Sequence, residues 1–519
     1  MVDCLFLHVP KSRNYYRPLD QFTWINFLPM GLLGLADFLQ QHQISAEIVH
    51  TGVEWIENQH FSILGYVKER APRIIAIDLH WHHQSFDVIN VARELKAALP
   101  NAYILLGGFT ASFFHEEIMR DFDAIDGIIR GEAEVPLLEL ARALLQKKDD
   151  FFSVPNLSWR MKGRVLINPL SYVASEKDLD RLSFTHFSLL KNYPTYIRYI
   201  GQPFYVKGLS KKKNARICSP GVAAYHLNVG RGCPVRCTWC SGSLSSQETI
   251  TGRKEVTFRA REKVLQSVLE AKTNGYEALH VCFDPYPQSP GYFLDLFAGI
   301  RREKVEIECR FDSFGLPTID FIQSFKETFP GPRSVIALSP DVGSERLRRI
   351  HKGYPYTNRA LMECLDEMKR HGIIVDLSFT FGVPFEKEED FHLTKRLQKQ
   401  IRARYSNVGR IRTLSMEMEP GSPWHLDPEA YHTRTVLRSF HDFYHYHSGE
   451  ESPFSSTGYW IPDYFPGVEN EASFLEAWRS MKCRHFCSMP PDAVRRLSPF
   501  WGRRLCDLSR LFWKIRHVG

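Results

Sequence analysis

The sequence contains no run of 18 or more apolar residues, and it therefore predicts no helix that spans a membrane. Its start lacks the basic segment, long apolar stretch and small-residue cleavage site of a signal peptide, so we expect a cytoplasmic protein with reduced thiols. It also lacks a strong excess of one charge: a formal net charge of +7 is mild over 519 residues and does not favour nucleic acid as a partner. With 44% hydrophobic residues, the chain has the balance of an ordinary globular protein of about three domains.

Strands and helices alternate through the first 150 residues. Short apolar runs predict five strands, at residues 4–8, 46–50, 73–78, 103–108 and 125–129. Because strands that alternate with helices pair in parallel with right-handed crossovers, we expect a Rossmann-like parallel sheet in a domain of residues 1–150. Ligands of such sheets bind beyond the carboxyl ends of the strands, where loops 78–84 and 107–111 lie.

These loops carry residues that suit a ligand site. Gly107 and Gly108 let a ligand approach the backbone, although a turn that needs a positive φ explains the pair equally well. His80, His82 and His83 are either metal ligands or structural histidines.

The middle of the chain predicts a second repeating unit. Residues 151–220 form a connector, with a hairpin that turns at Lys162-Gly163 and a basic stretch at 207–216 that is either an exposed loop or a contact to an anionic substrate. Between residues 221 and 425 six strands alternate with helices, which predicts a (β/α)₆ partial TIM barrel with its chemistry at the carboxyl ends of the strands.

Three of the 11 cysteines, Cys233, Cys237 and Cys240, lie within eight residues just past the first barrel strand. At this cysteine frequency, about 0.005 such spacings are expected by chance. Zinc usually takes four ligands, and a disulfide leaves the third cysteine unexplained. Three thiolates on one short loop fit a [4Fe-4S] cluster with one open iron better.

Residues 426–519 predict a mainly helical C-terminal region. The aromatic and histidine-rich segment 440–447 is either a packing helix or a cap that closes the barrel and shapes the substrate pocket. Cys483, Cys487 and Cys506 are either ligands of a second metal or scattered buried cysteines.

The cysteine spacing resembles the signature of the radical S-adenosylmethionine (SAM) superfamily. The wider segment 231–240 resembles members with an N-terminal cobalamin-binding domain, as do segments 107–111 and 130–136. Further segments resemble the later barrel strands in the expected order: 342–347, 351–353, 381–386 and 419–423. The resemblance covers residues 1–425.

The resemblance implies a [4Fe-4S] cluster held by Cys233, Cys237 and Cys240, together with SAM and cobalamin. The residues expected to bind cofactors are Trp81, Gln84, Gly107, Gly108, Ala111, Gly131 and Glu132 in the first domain, and Asp284, Asp341 and Ser344 in the barrel. Asp341 stands where the family often has glutamate. The Asp-x-His-x-x-Gly motif is not matched, because His83 stands where its glycine belongs, and we expect cobalt without a histidine below it.

The resemblance also implies radical chemistry, most simply methylation of an unactivated carbon in a biosynthetic intermediate. The alternatives are a radical cyclisation, ring contraction or rearrangement without methyl transfer, and a non-catalytic cobalamin or iron–sulfur sensor. We expect a small-molecule or peptide substrate and an electron donor such as flavodoxin or ferredoxin. The sequence does not single out a catalytic residue.

Overall fold

The structure is a computed structural model, and it describes residues 2–10, 28–58, 60–199, 223–282, 290–353, 355–448, 458–464 and 468–477. Two large sheets organise these residues, one of seven strands and one of six. No helix within the described ranges is long and apolar enough to cross a membrane.

The first sheet has the strand order β2-β1-β3-β4-β5-β6-β7. Its strands are β1 (Cys4–His8), β2 (Ala46–His50), β3 (Ile74–Asp78), β4 (Tyr103–Gly107), β5 (Gly127–Ile129), β6 (Leu157–Met161) and β7 (Arg164–Ile167). Strands β1 to β5 pair in parallel, and the predicted parallel sheet is confirmed. The hairpin β6–β7 turns through Lys162 and Gly163, both at positive φ, and joins β5 antiparallel, so the sheet extends beyond residue 150.

Helices cover both faces of this sheet. They are α1 (Met30–Gln41), α2 (Thr51–Glu57), α3 (Ile63–Arg70), α4 (Ser85–Ala98), α5 (Phe109–Phe113), α6 (His115–Asp121) and α7 (Glu134–Leu145). Strand residues such as Leu5, Phe6, Ile74 and Ile75 are fully buried or nearly so, as expected for a parallel sheet packed on both faces.

Two short helices, α8 (Glu176–Asp180) and α9 (Tyr193–Tyr199), lie between the hairpin and the second sheet. The second sheet has the order β15-β14-β13-β12-β11-β8, and every pair in it is parallel. Its strands are β8 (Ala224–His226), β11 (Ala278–Val281), β12 (Glu308–Ser313), β13 (Val335–Asp341), β14 (Ile374–Phe381) and β15 (Val408–Ser415). The predicted six-stranded partial barrel is confirmed.

The barrel helices are α11 (Arg261–Thr273), α12 (Pro290–Arg302), α13 (Ile319–Thr328), α14 (Glu345–Lys352), α15 (Asn358–Arg370) and α16 (Glu388–Arg404). Between β8 and β11 the chain makes a small excursion that holds the cysteines. It consists of β9 (Gly230–Arg231), the cysteine loop, α10 (Leu244–Thr251) and β10 (Thr257–Phe258), which pairs antiparallel with β9.

The described part of the C-terminal region combines short helices with a two-stranded ribbon. It contains α17 (Pro423–Leu426), β16 (Arg434–Thr435), α18 (Phe440–Tyr446) and β17 (Tyr459–Trp460). The predicted packing helix is α18: its residues Phe440, Phe443 and Tyr444 share a buried cluster with one face of the first sheet. The C-terminal region therefore packs on the first domain as well as following the barrel.

Candidate functional site

A cavity of about 580 Å³ lies between the carboxyl edge of the first sheet and the barrel segment that carries the cysteines. The ends of β1, β3 and β4 line one side, and Gly230–Gly232 together with Gln247 and Thr251 of α10 line the other. Because Cys233 directly follows Gly232, the cavity adjoins the cysteine loop. Parallel sheets bind ligands at this edge, so the cavity is the candidate cofactor site.

Three glycines shape this cavity, each in a different way. At Gly108, with φ +102°, a Cβ would lie 2.8 Å from the backbone of His80, so the turn itself requires glycine. At Gly131, with φ +66°, a Cβ would lie 3.0 Å from Cα of Thr251, across the domain boundary. At Gly107 a Cβ would meet, among the described residues, only the carbonyl oxygen of Ile129 at 3.8 Å. No atom of these residues requires glycine at position 107, and the space beside it opens to the cavity.

The wall of the cavity also contains two buried polar atoms that lack a hydrogen-bond partner in the described part of the chain. His8 at the end of β1 and Asp78 at the end of β3 share a hydrogen bond of 2.7 Å between Nδ1 and Oδ2. Their remaining atoms, Nε2 of His8 and Oδ1 of Asp78, are buried and have no hydrogen-bond partner among the described residues. Buried polar atoms are rarely left this way, so His8 and Asp78 form a polar point in the cavity wall. His8 is not among the residues predicted from the sequence, and its position at a strand's carboxyl end is the signal that would have found it.

Glu132 joins the two domains beside the cavity. Its carboxylate accepts hydrogen bonds from Nε of Arg253 at 2.5 Å, from Nη1 of Arg231 at 3.2 Å and from the backbone N–H of Ala174 at 2.8 Å. Arg231 also pairs with Glu134. Burial opposes the charge on Glu132, but the two guanidiniums outweigh it and lower the pKa of this carboxyl. Glu132 thus anchors an interdomain ionic network beside the cavity.

The first-domain residues expected to bind a cofactor fall into two groups. Trp81, Gly107, Gly108, Gly131 and Glu132 line the cavity.

The other two, Gln84 and Ala111, are fully buried and lie outside the lining. Gln84 donates to the carbonyl of Val9 and accepts from the backbone N–H of Trp81, and Ala111 donates its N–H to Leu79. These two residues brace the cavity loops; direct contact with a cofactor stays a prediction for all seven.

Contacts from later barrel elements fix the cysteine loop. The N–H and hydroxyl of Ser241 both donate to Glu419, at 2.7 and 2.8 Å, and the hydroxyl of Thr238 bonds to Nδ1 of His351 at 2.8 Å. All three cysteines are thiols rather than half of a disulfide, and all are partly buried. Burial raises the pKa of Cys237 to about 12, so in the metal-free loop this thiol keeps its proton, and a metal must displace it.

Asp341 ends β13 with φ +59° and pairs with the buried Lys352, with 2.9 Å between Oδ2 and Nζ. The carbonyl of Lys352 in turn accepts from Sγ of Cys237 at 3.6 Å. Asp341 therefore lies next to the cysteine loop with one oxygen engaged, and Ser344 is buried at the start of α14. Asp284 lies outside the described residues, as do the 207–216 stretch and Cys483, Cys487 and Cys506.

A polar face lines the inside of the barrel. Along β11 the alternate residues Leu279 and Val281 join the core beneath the helices, so His280 and Cys282 face inward. His226 pairs in register with His280, and Nε2 of His280 lies 2.8 Å from Asp312 of β12 and 3.2 Å from Sγ of Cys282.

Burial opposes a charge on His280, yet the contacts to Asp312 and Cys282 raise its pKa to about 10. In the sequence, this inward face is visible as an alternation of polar and apolar residues along the barrel strands. Strands buried against apolar groups on both faces are apolar throughout instead.

Comparisons with known proteins agree with this geometry. Residues 26–141 match the B12 binding domain, and residues 227–397 match the radical SAM superfamily. The chain belongs to the cobalamin-dependent radical SAM enzymes. Its cofactors are a [4Fe-4S] cluster, SAM and cobalamin, as predicted. The cavity and its glycines fit cobalamin, and the three-cysteine loop fits the cluster.

Two solved structures share the enzyme's fold over nearly its whole length. The radical SAM methyltransferase TsrM from Kitasatospora setae is 13% identical with a TM-score of 0.66, covering 95% of this chain and 90% of that one. The cobalamin-dependent SAM radical enzyme OxsB is 12% identical with a TM-score of 0.63, covering 99% and 71%.

Two curated relatives carry different activities in their names. An uncharacterized methyltransferase, PH0819 of Pyrococcus horikoshii, is 24% identical over 387 residues, covering 73% of this chain and 74% of its own length. An anaerobic magnesium-protoporphyrin IX monomethyl ester cyclase from Rubrivivax gelatinosus is 26% identical over 165 residues, covering 30% and 23%. The reaction of this enzyme is therefore open between these classes.

Proposed function

We propose that the enzyme methylates an unactivated carbon of a small biosynthetic intermediate. The observation that carries the proposal is the shared boundary of the two cofactor sites: Gly230–Gly232 line the cobalamin cavity, and Cys233 begins the cluster loop. A methyl donor and a radical generator at adjoining sites suit transfer of a methyl group to a carbon radical. The likeness to TsrM and to the Pyrococcus methyltransferase supports the same class of reaction.

The net reaction balances with two molecules of SAM and two electrons. One SAM is cleaved to methionine and 5′-deoxyadenosine, which carries away the substrate hydrogen, and the other becomes S-adenosylhomocysteine after giving its methyl group. When bound, the cluster supplies the electron for cleavage and cobalamin relays the methyl group. The electrons come from a donor of the flavodoxin or ferredoxin class.

The chain's own residues position the reactants. The Glu132–Arg253–Arg231 network holds the first domain against the cysteine loop, which fixes the distance between the two cofactor sites. The inward face of the barrel, with His280 and Asp312, lies at the carboxyl ends of the strands, where barrel enzymes bind their substrates. A protonated His280 suits a substrate with a carboxylate or another acceptor oxygen.

The test is the co-product of SAM turnover. The reconstituted, reduced enzyme is incubated anaerobically with SAM, and S-adenosylhomocysteine and 5′-deoxyadenosine are quantified against the same chain prepared without cobalamin. The proposal predicts S-adenosylhomocysteine only when cobalamin is present. Formation of 5′-deoxyadenosine with no S-adenosylhomocysteine would contradict methylation and favour a cyclisation, as in the relative from Rubrivivax gelatinosus.

A further inference from the structure

Three histidines and a glutamate from separate parts of the chain meet outside the cofactor cavity. His82 and His83 lie in a short helical turn after β3, Glu417 follows β15 of the barrel, and His447 follows α18 of the C-terminal region. The sequence is compatible with either a metal-binding or a structural role for His82 and His83. In the structure they face the barrel and the C-terminal helix, whereas His80 lines the cavity.

The contacts within this cluster are short and specific. Nε2 of His83 lies 2.7 Å from Oε1 of Glu417, and Nε2 of His82 lies 3.5 Å from the same oxygen. The rings of His82 and His83 stack at 4.0 Å, and Nδ1 of His82 bonds to Nε2 of His447 at 2.9 Å. The three donor atoms of His82, His83 and Glu417 all lie within 4.8 Å of one another.

This geometry suits a metal ion. Two ligands of a tetrahedral zinc lie about 3.4 Å apart. Oε1 of Glu417 lies 3.5 Å from Nε2 of His82 and 2.7 Å from Nε2 of His83, so the second contact has to lengthen by about 0.7 Å to admit the ion. The two imidazoles are also buried, with side chains only 5% and 11% exposed, so their ring nitrogens are shielded from bulk water. A single divalent ion accepts both neutral imidazoles and neutralises the carboxylate.

We propose that His82, His83 and Glu417 hold a zinc ion that ties the first domain, the barrel and the C-terminal region together. His447 orients His82 through its second ring nitrogen, as partners of metal-bound histidines commonly do. Glu417 is partly exposed, which leaves the fourth ligand position to solvent. The site does not line the cofactor cavity, so its role is to fix the loop that carries Trp81.

The direct test is zinc K-edge X-ray absorption on the reconstituted holoenzyme after incubation with zinc sulfate and removal of the excess. The proposal predicts about one zinc per chain with nitrogen and oxygen neighbours at about 2.0–2.2 Å. A shell of sulfur at about 2.3 Å would place the zinc on cysteines, and a holoenzyme that retains no zinc would also overturn the proposal. This measurement needs no variant, so a folding defect does not confound it.

Variants then assign the ligands. The double variant His82→Gln/His83→Gln is expected to lose zinc while it keeps its iron, and His447→Gln is expected to bind zinc about ten- to a hundredfold more weakly. His445→Gln is the matched control, because His445 is exposed on the same helix and lies outside the cluster. Equal zinc content in the double variant and the control would refute the assignment.

Discussion

Replacing Gly107 by alanine tests the cofactor site without disturbing the fold. In the part of the chain that the structure describes, the added Cβ would meet a single atom, the carbonyl oxygen of Ile129 at 3.8 Å, so the fold accepts it without strain. Because alanine restricts the unfolded chain more than glycine does, the free energy of unfolding should stay constant or rise by about 0.4–1 kcal/mol. The new methyl group occupies space in the cavity wall that we assign to cobalamin.

Crowding a well-packed site by one methyl group costs about 1–3 kcal/mol, which corresponds to roughly five- to 150-fold weaker binding. The assay reconstitutes the variant with hydroxocobalamin and measures the retained corrinoid by its visible spectrum after gel filtration, beside the thermal unfolding midpoint. Gly65→Ala on α3 is the control, since its Cβ makes only ordinary contacts and lies away from the cavity. A Gly107→Ala enzyme that retains as much corrinoid as the wild type would refute the assignment of the cavity.

Four further changes test the site and its supports. Glu132→Ala leaves the buried Arg253 without its carboxylate and should lower the free energy of unfolding by about 3–5 kcal/mol, measured by chemical denaturation; a change below about 1 kcal/mol would contradict the interdomain network. Cys237→Ser should abolish reductive cleavage of SAM and most iron binding while corrinoid content stays at the wild-type level, and retained cleavage would disprove the ligand set. Asp312→Asn should lower the pKa of His280 and reduce product formation severalfold at unchanged iron and corrinoid content; unchanged turnover would remove this pair from the substrate site. Burial raises the pKa of Glu386 from 4.5 to about 7, so the unfolded chain loses this proton at lower pH than the folded chain does. The free energy of unfolding therefore falls as pH rises from about 4.5 to about 7. Glu386→Gln should remove that fall, and a pH profile of stability that is unchanged in the variant would contradict this role of Glu386.

The sequence was sufficient to predict the two sheets and the cysteine loop. Apolar runs such as those in Cys4–His8 and Ile74–Asp78 coincide with strands, because a parallel strand buried on both faces has no polar side to break the run. The three cysteines are recognised by their spacing alone. The family resemblance then supplied the cofactors, which the two domain matches confirm.

Contacts between distant segments were not predictable in the same way. The sequence predicts Glu132 as a cofactor contact, and only the folded chain brings Arg253 to its carboxylate. Gln84 is expected from its loop to face the cofactor, yet its amide bonds to the backbone of Val9 after β1 and of Trp81 in its own loop. Local sequence specifies which strand end a residue follows; it does not specify which neighbour from another domain its side chain meets.

The central claim is that the adjoining cofactor sites transfer a methyl group to carbon. The most direct measurement incubates the holoenzyme with SAM labelled with deuterium in its methyl group and a small-molecule extract of the source cells, and then searches by mass spectrometry for a product that carries the label. The account predicts one labelled methyl group on a carbon of a single product, absent with the Cys237→Ser enzyme. A product that forms only with the wild-type enzyme, and that differs from its precursor without carrying the label, would contradict it.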